Sequence, residues 1–259
     1  MENPMKWFKK KDKPNDIIKP KYISKPGFIK ARIRRGFTEI MPLYYLLKNL
    51  NALNECFICG GYVRYMCSPH NKPTPAGDID IYFANIDVFM VVKDTLILQG
   101  LIVKHENDVS LSFSLITDAN HDFNGVPPIQ LIKPITDGAI IATGTMQEIL
   151  ENFDFTVIRC GLIDESEAIV DADFMNDEEK KILRIKNIHC PISSTLRCMK
   201  YARKGYWLPP MQCCRLFIDW EERDEEYRAK IIEFLTKSDE GEGLTREDIE
   251  QMERLMRID

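Results

Sequence analysis

The stretch FICGGYVRYMCSPHNKPTPAGDIDIYF, residues 57–83, decides how the rest of the sequence is read. An apolar run beginning at Cys56 stops at Gly60-Gly61, and YVRYM opens a helical pattern. Pro73, Pro75 and Gly77 then mark a turn before DIDIYF, where acids alternate with isoleucines. In a strand, residues i and i+2 point to the same side, so Asp78 and Asp80 project together while Ile79 and Ile81 face a core. The stretch therefore predicts strand, Gly-Gly turn, helix, loop, strand, with two carboxylates on one surface.

Working outward, the alternation continues on both sides. Residues 36–55 carry apolar residues at helical spacing, with Met41, Tyr45, Leu46 and Leu50 expected on the buried side. Residues 86–99 and 144–152 predict further helices. LIVKHEND, VSLSFSLIT, PIQLIKPI and FDFTVIRCGL predict strands. From about residue 175 the pattern becomes helical throughout (NDEEKKILRI, SSTLRCMKYARKGYWL and QCCRLFIDWEERDEEYRAKIIEFLTK) and runs to a segment opened by the capping-box pair Thr245 and Asp248. Residues 1–30, broken by Pro4, Pro14, Pro20 and Pro26, predict an irregular arm. The expected class is α+β: a basic arm over 1–35, a mixed-sheet head over 36–172, and an all-helical domain over 173–259.

At 259 residues and 44% hydrophobic, the chain can bury a sizeable core. A charged fraction of 29% describes an ordinary soluble protein, and excludes a histone-like binder. The charge is nonetheless uneven. Residues 1–35 hold twelve Lys/Arg against three acids, a net of +9. Such an arm suits phosphates, whose neutralisation releases condensed counterions, or else is simply a solvated extension. No apolar run is long enough to span a bilayer, and the N-terminus lacks the apolar core of a secretory signal. Eight cysteines in this setting predict a reducing cytoplasm. A zinc site would need Cys56 and Cys59 to converge with Cys213 and Cys214, whereas the first pair lies in an apolar run where buried cysteine behaves as a small hydrophobe. His70, His105, His121 and His189 show no shared spacing.

The chemistry is concentrated in the opening stretch. Two neighbouring carboxylates repel unless a cation lies between them. Oxygen donors in small number suit Mg²⁺, which takes its other ligands from water and phosphate. A strand–Gly-Gly–helix turn lets backbone N–H groups approach a phosphate, and Arg64, one turn into that helix, would reach the same anion. This order resembles the head of the polymerase-beta-type nucleotidyltransferase superfamily. Within it, the match is to the tRNA CCA-adding enzyme and bacterial poly(A) polymerase branch, whose heads carry G-G-x-V-R-D followed by D-x-D. Gly60, Gly61, Val63, Arg64, Asp78 and Asp80 match, and the motif's following Asp is Tyr65 here. Asp154-Phe155-Thr156 match part of the family's R-R-D-F-T segment. Leu196-Arg197, Lys200-Tyr201-Ala202 and Gly205-Tyr206 are similar to the later half of its neck stretch.

The resemblance implies attack by a hydroxyl on the α-phosphate of a nucleoside triphosphate, ATP or CTP, with pyrophosphate leaving. It implies that Asp78 and Asp80 hold two Mg²⁺ ions, or Mn²⁺ in their place. Gly60, Gly61 and Arg64 would hold the triphosphate. Arg197 and Lys200 would meet the nucleotide from the neck, and Asp154 would stand at the head–neck joint, with local strand-end bonding as its plainer reading. The implied acceptor is an RNA 3′ end of tRNA type. Nucleotidyl transfer to a protein or small molecule, and a non-catalytic binding module, are the alternatives. The departures are specific. The arginines of R-R-D-F-T are Asn152 and Phe153, the neck's E-D-P-L-R falls on Cys190–Ser194, and a third acid is replaced by Gln130, with Asp122 nearby in sequence. The family's body and tail domains would also exceed 259 residues. Tyr201, Tyr206 and Trp207, interleaved with Arg203 and Lys204, either stack on nucleic acid or pack a helix junction.

Overall fold

The computed structural model describes residues 27–239 apart from 51, 108, 116–121, 135, 138, 139 and 142. The expectations for residues 1–26, His121 and the segment opened by Thr245 lie outside the described residues. The elements run β1 (Phe28–Arg32), α1 (Phe37–Asn49), β2 (Cys56–Cys59), α2 (Gly61–Cys67), β3 (Ile79–Phe83), α3 (Ile86–Leu98), β4 (Leu101–Glu106), β5 (Ser110–Leu115) and β6 (Ile129–Ile132). They continue with β7 (Thr136–Asp137), β8 (Ile140–Ile141), α4 (Met146–Glu151), a 3₁₀ turn at Thr156–Ile158, β9 (Cys160–Leu162), β10 (Glu167–Asp171), α5 (Phe174–Glu179), α6 (Pro191–Ala202), α7 (Pro210–Glu222) and α8 (Glu225–Asp239).

Eight strands form one sheet in the order β1-β10-β9-β2-β3-β6-β5-β4. Every neighbouring pair is antiparallel except β3 and β6, which run parallel. The mixed α+β class expected from the sequence is the one observed, with α5–α8 following the sheet. Alternation builds the centre. Ile79, Ile81 and Phe83 are fully buried and join Ile58, Val63 and Met66 in a core closed by α1 and α3. The opposite face carries Phe57, Cys59 and Tyr82 against Ile149, Leu150, Met146 and Phe153. Local signals set the ends of helices. Asn85 Oδ1 accepts the Val88 amide at the start of α3, and Thr145 with Glu148 forms a reciprocal capping box on α4.

Four sequence expectations are corrected. Residues 28–32, read as the end of an irregular arm, form β1 and pair with β10 from Phe28↔Asp171 to Arg32↔Glu167. This edge strand is mostly exposed, so it shows no apolar alternation. Helix α1 buries Ile40, Leu43, Tyr44 and Leu47, and leaves Met41 and Tyr45 exposed. The helix is apolar on more than one side, and only packing against the sheet selects the face. NDEEKKILRI is helical only through α5. Lys181 adopts φ 54°, and the chain then bridges Ile182 to Trp207 and Ile185 to Phe155. FDFTVIRCGL is a 3₁₀ turn followed by a three-residue strand.

Those bridges nucleate a second core of Phe155, Val157, Leu183, Ile185, Cys198, Tyr201, Tyr206 and Leu216. The sheet and the helical segment are thus stitched by backbone bonds, including Lys186 N to Asp154 O at 2.7 Å and Thr156 N to Arg184 O at 3.1 Å. Cys56 and Cys59 are buried in β2, and burial pushes the Cys56 thiol up to about 12. Cys213 and Cys214 stand on α7.

Candidate functional site

The Gly-Gly turn and the two aspartates meet because β2 and β3 are antiparallel neighbours. Cys59 lies opposite Asp80, so the chain turns at Gly60 immediately beside that carboxylate. Gly60 has φ 78° and ψ −136°, a conformation that disfavours any Cβ. A Cβ there would stand 3.4 Å from Asp80 Oδ2 and 3.5 Å from Phe153 Cε2. At Gly61, the first residue of α2, a Cβ would meet nothing within 4 Å, so the backbone faces open space. Asp78 precedes β3 and shares the side of Asp80, and both are partly exposed. Of the residues expected to share a patch, the structure brings Gly60 against Asp80, with Gly61 next along the chain and Asp78 two residues before Asp80.

The parallel partner of Asp80 across β6 is Gln130, whose Nε2 donates to Ser110 Oγ at 2.8 Å. A neutral amide therefore occupies the strand position beside Asp80. Asp122 is exposed in the turn before β6. Among the described residues no group of three or more His, Cys, Asp or Glu stands together. A pair of partly exposed carboxylates still fits Mg²⁺, which needs few protein oxygens and completes its shell from water and phosphate.

Arg64 is placed otherwise than the sequence predicts. Its side chain is 0% exposed. Nη1 donates to Tyr206 Oη at 3.0 Å and pairs with Glu178 Oε1 at 3.3 Å, while Nη2 donates to the Thr74 carbonyl at 2.7 Å. Glu178, also fully buried, further accepts Ser68 Oγ at 2.8 Å, Lys181 Nζ at 3.1 Å and the Tyr206 hydroxyl. Arg64 is thus a structural cation linking α2 to α5 and to the turn after α6. Sequence reasoning missed Glu178 and Tyr206 because they lie 114 and 142 residues away.

The retained Asp154, Phe155 and Thr156 all make ties to distant residues. Asp154, 4% exposed, accepts Ser194 Oγ at 2.9 Å and Arg197 Nη1 at 2.8 Å, bonds well beyond the local strand end. Phe155 enters the second core, and Thr156 Oγ1 donates to Asp177 at 2.8 Å. Asp177 in turn accepts two bonds from Arg184, at 2.9 and 3.0 Å. Asn152 and Phe153 replace motif arginines with a different arrangement. The Phe153 ring packs 5.2 Å from that of Tyr82, on the sheet face beside Asp80.

Helix α6 brings the remaining residues. Arg197 and Tyr201, spaced i, i+4, lie along one stripe of α6, and Lys204 follows in the turn just past the helix end. Arg197 is partly exposed and bound to Asp154, and Lys200 is exposed. Tyr201 and Tyr206 are buried edge-to-face with centroids 5.2 Å apart, so they pack the helix junction, whereas Trp207 is 57% exposed. Lys204 Nζ rests 5.2 Å from the Tyr201 ring centroid. Burial, with repulsion from Arg64, Lys200 and Lys181, holds the Lys204 ammonium below the usual lysine range against the pull of Asp78. Lys204 therefore lies within electrostatic reach of Asp78.

No family model and no curated protein matches the sequence. Solved structures do match. One is similar over 75% of this chain and 47% of its own, at TM-score 0.50 and 16% identity, and is a CCA-adding enzyme with CTP. A tRNA nucleotidyltransferase complexed with a primer tRNA and an incoming ATP analogue matches 82% of this chain and 60% of its own, at 0.48 and 16%. The Bacillus stearothermophilus CCA-adding enzyme with CTP matches 70% and 42%, at 0.47 and 20%. The chain thus spans about half the length of these proteins, and the likeness to the first of them, at TM-score 0.50, establishes a shared fold.

Proposed function

We propose that this chain is a metal-dependent nucleotidyltransferase, moving a nucleoside monophosphate from ATP or CTP to the 3′ hydroxyl of a tRNA-like RNA. The observation that carries the reading is the closure of the Gly60 backbone against Asp80, with Asp78 alongside and Lys204, just past α6, within electrostatic reach of Asp78. The shared fold with a CCA-adding enzyme bound to CTP supports it.

In the reaction, the acceptor oxygen bonds to the α-phosphorus as the bond from phosphorus to pyrophosphate breaks. The electron pair leaves with pyrophosphate, and the hydroxyl proton passes to solvent. Asp78 and Asp80 would hold Mg²⁺, which when bound supplies positive charge at the phosphates and acidifies the attacking hydroxyl. Gly60 spends its own N–H on the Cys160 carbonyl, at 2.8 Å, so the amide this turn would offer a phosphate is that of Gly61, where a side chain would keep the phosphate away. Asp154 and Ser194 fix the Arg197 guanidinium in one orientation, so that it meets the nucleotide with little further ordering. Lys200, on the next turn, adds an exposed cation beside it.

The test incubates the full chain with labelled nucleoside triphosphates, Mg²⁺ and total RNA, beside an Asp78→Ala/Asp80→Ala variant. Labelled RNA that disappears in the variant supports the proposal. Label in protein or in a small molecule redirects it to another acceptor. No label from any nucleotide with Mg²⁺ or Mn²⁺ would falsify nucleotidyl transfer.

A further inference from the structure

The sequence assigns the triphosphate's cation to Arg64, yet that guanidinium is fully buried and bound to Glu178, Tyr206 and Thr74. An anion with three or four negative charges, seated at the Gly-Gly turn, needs a cation from elsewhere. Lys204 is half-buried just past the last turn of α6. Its ammonium lies against the Tyr201 ring, an aromatic face that keeps a cation in place without neutralising it. Among the described residues no carboxylate lies within ion-pair distance of it. Arg64, Lys181 and Lys200 surround it with like charge, and Asp78 is the acid it senses. Asp80 and Glu178 are further acids acting on the Tyr201 ring beneath it, and Glu178 is already claimed by Arg64, Lys181, Ser68 and Tyr206.

We infer that Lys204 is the polyphosphate-binding cation of the site, contacting the β- and γ-phosphates of the incoming nucleotide and then the departing pyrophosphate. The inference rests on the nucleotidyl-transfer reading and specifies the residue that reading lacks. The local excess of positive charge is relieved when an anion binds, and the aromatic seat positions the ammonium beforehand. Arg64 keeps a supporting part. It anchors α2 beneath the Gly-Gly turn, and through Tyr206 it fixes the end of the loop that follows Lys204.

The test measures binding of magnesium pyrophosphate to the full chain by calorimetry, with thermal unfolding recorded on the same samples. A charge-assisted contact of this kind predicts affinity about tenfold to a hundredfold lower in Lys204→Met. Lys204→Arg should retain affinity within a few-fold, and Lys230→Met, on exposed α8, should match the parent. Should Lys204→Met unfold, Lys204→Gln makes the same comparison. Equal pyrophosphate affinity in parent and variant overturns the inference, as does a parent that binds no pyrophosphate. Pyrophosphate binding that depends on Lys204 in a protein showing no transfer retains the inference and discards the reading of activity. Transfer with unchanged KM and pyrophosphate affinity in Lys204→Met does the reverse.

Discussion

Asp154, at the foot of the sheet, holds Arg197 of helix α6 through an ion pair of 2.8 Å. The acid is almost fully buried and the arginine partly exposed, so the carboxylate positions a group that can still meet a ligand. Removing either member should leave the other poorly paired, and Ser194 loses its acceptor in Asp154→Ala. The expected cost is about 1–3 kcal/mol of stability for Asp154→Ala. Arg197→Met should cost less, because the arginine is partly solvated. A double-mutant cycle should show coupling of about 0.5–3 kcal/mol, read by denaturant unfolding. In nucleotide assays both single variants should raise KM more than they lower kcat. Equal KM in both would show that Arg197 serves only the fold.

The two glycines make opposite predictions. Gly60→Ala forces a Cβ into a positive-φ conformation in contact with Asp80, at a cost of about 1–3 kcal/mol. Gly61→Ala occupies open space at the first position of a helix, where alanine is the better helix former, so unfolding should be unchanged or slightly harder. If a phosphate closes on this turn, the added methyl group should still weaken nucleotide binding. Thermal unfolding paired with nucleotide titration separates the two, and undiminished nucleotide binding by Gly61→Ala would remove the turn from the site.

The carboxylate pair predicts loss of function with little loss of fold. Asp78 and Asp80 are partly exposed, and deleting one relieves repulsion from the other. Asp78→Asn should lower transfer by at least about a hundredfold, the scale of removing one charge-stabilising group from a transition state. Its unfolding midpoint should stay at or above that of the parent. A stabilised but fully active variant would mean that the pair holds no ion in turnover.

How legible all this was depends on the range of the interaction. The strand–turn–helix–loop–strand order could be read because Gly60-Gly61 and Pro73, Pro75 and Gly77 punctuate it locally. The shared surface of Asp78 and Asp80 follows from the two-residue period alone. The burial of Arg64 could not be read, because a buried arginine is decided by distant partners, here Glu178 and Tyr206. Strand β1 was hidden for a different reason. An exposed edge strand of sequence FIKAR pairs through its backbone and carries no apolar pattern. The face of α1 was ambiguous, since sets one residue apart in sequence both fit a 3.6-residue period.

That buried network carries its own prediction. Arg64 and Glu178 are both fully withdrawn from solvent, so breaking the pair leaves the buried Glu178 carboxylate with Lys181 as its remaining cation and takes a donor from Tyr206 and Thr74. Arg64→Met should cost about 3–5 kcal/mol, much more than an exposed pair such as Lys230–Glu226 would. Arg64→Met combined with Glu178→Gln should recover part of the loss, because the buried carboxylate that Lys181 alone then balances is gone. Denaturant unfolding of the three variants decides it. A single variant that unfolds like the parent would mean the pair is not formed in solution.

The thiols give a test of the fold that needs no substrate. Cys56, Cys59, Cys67, Cys160, Cys190 and Cys198 are buried, whereas Cys213 is partly exposed and Cys214 exposed. Burial pushes Cys56, Cys67 and Cys198 up to about 12 from an ordinary 9.0, so they present neither access nor thiolate near pH 8. Iodoacetamide on the native protein should therefore modify Cys214 first and Cys213 next, with the other six reacting only on unfolding, as read by peptide mass spectrometry. The same shifts set a pH dependence. Between pH 9 and about 12 the unfolded chain releases these protons while the folded chain retains them. Stability should then fall as pH rises through that window, and stay level on this account below pH 9. Rapid native modification of Cys56 or Cys59 would instead mean that β2 opens readily, and with it the turn that carries Gly60 against Asp80.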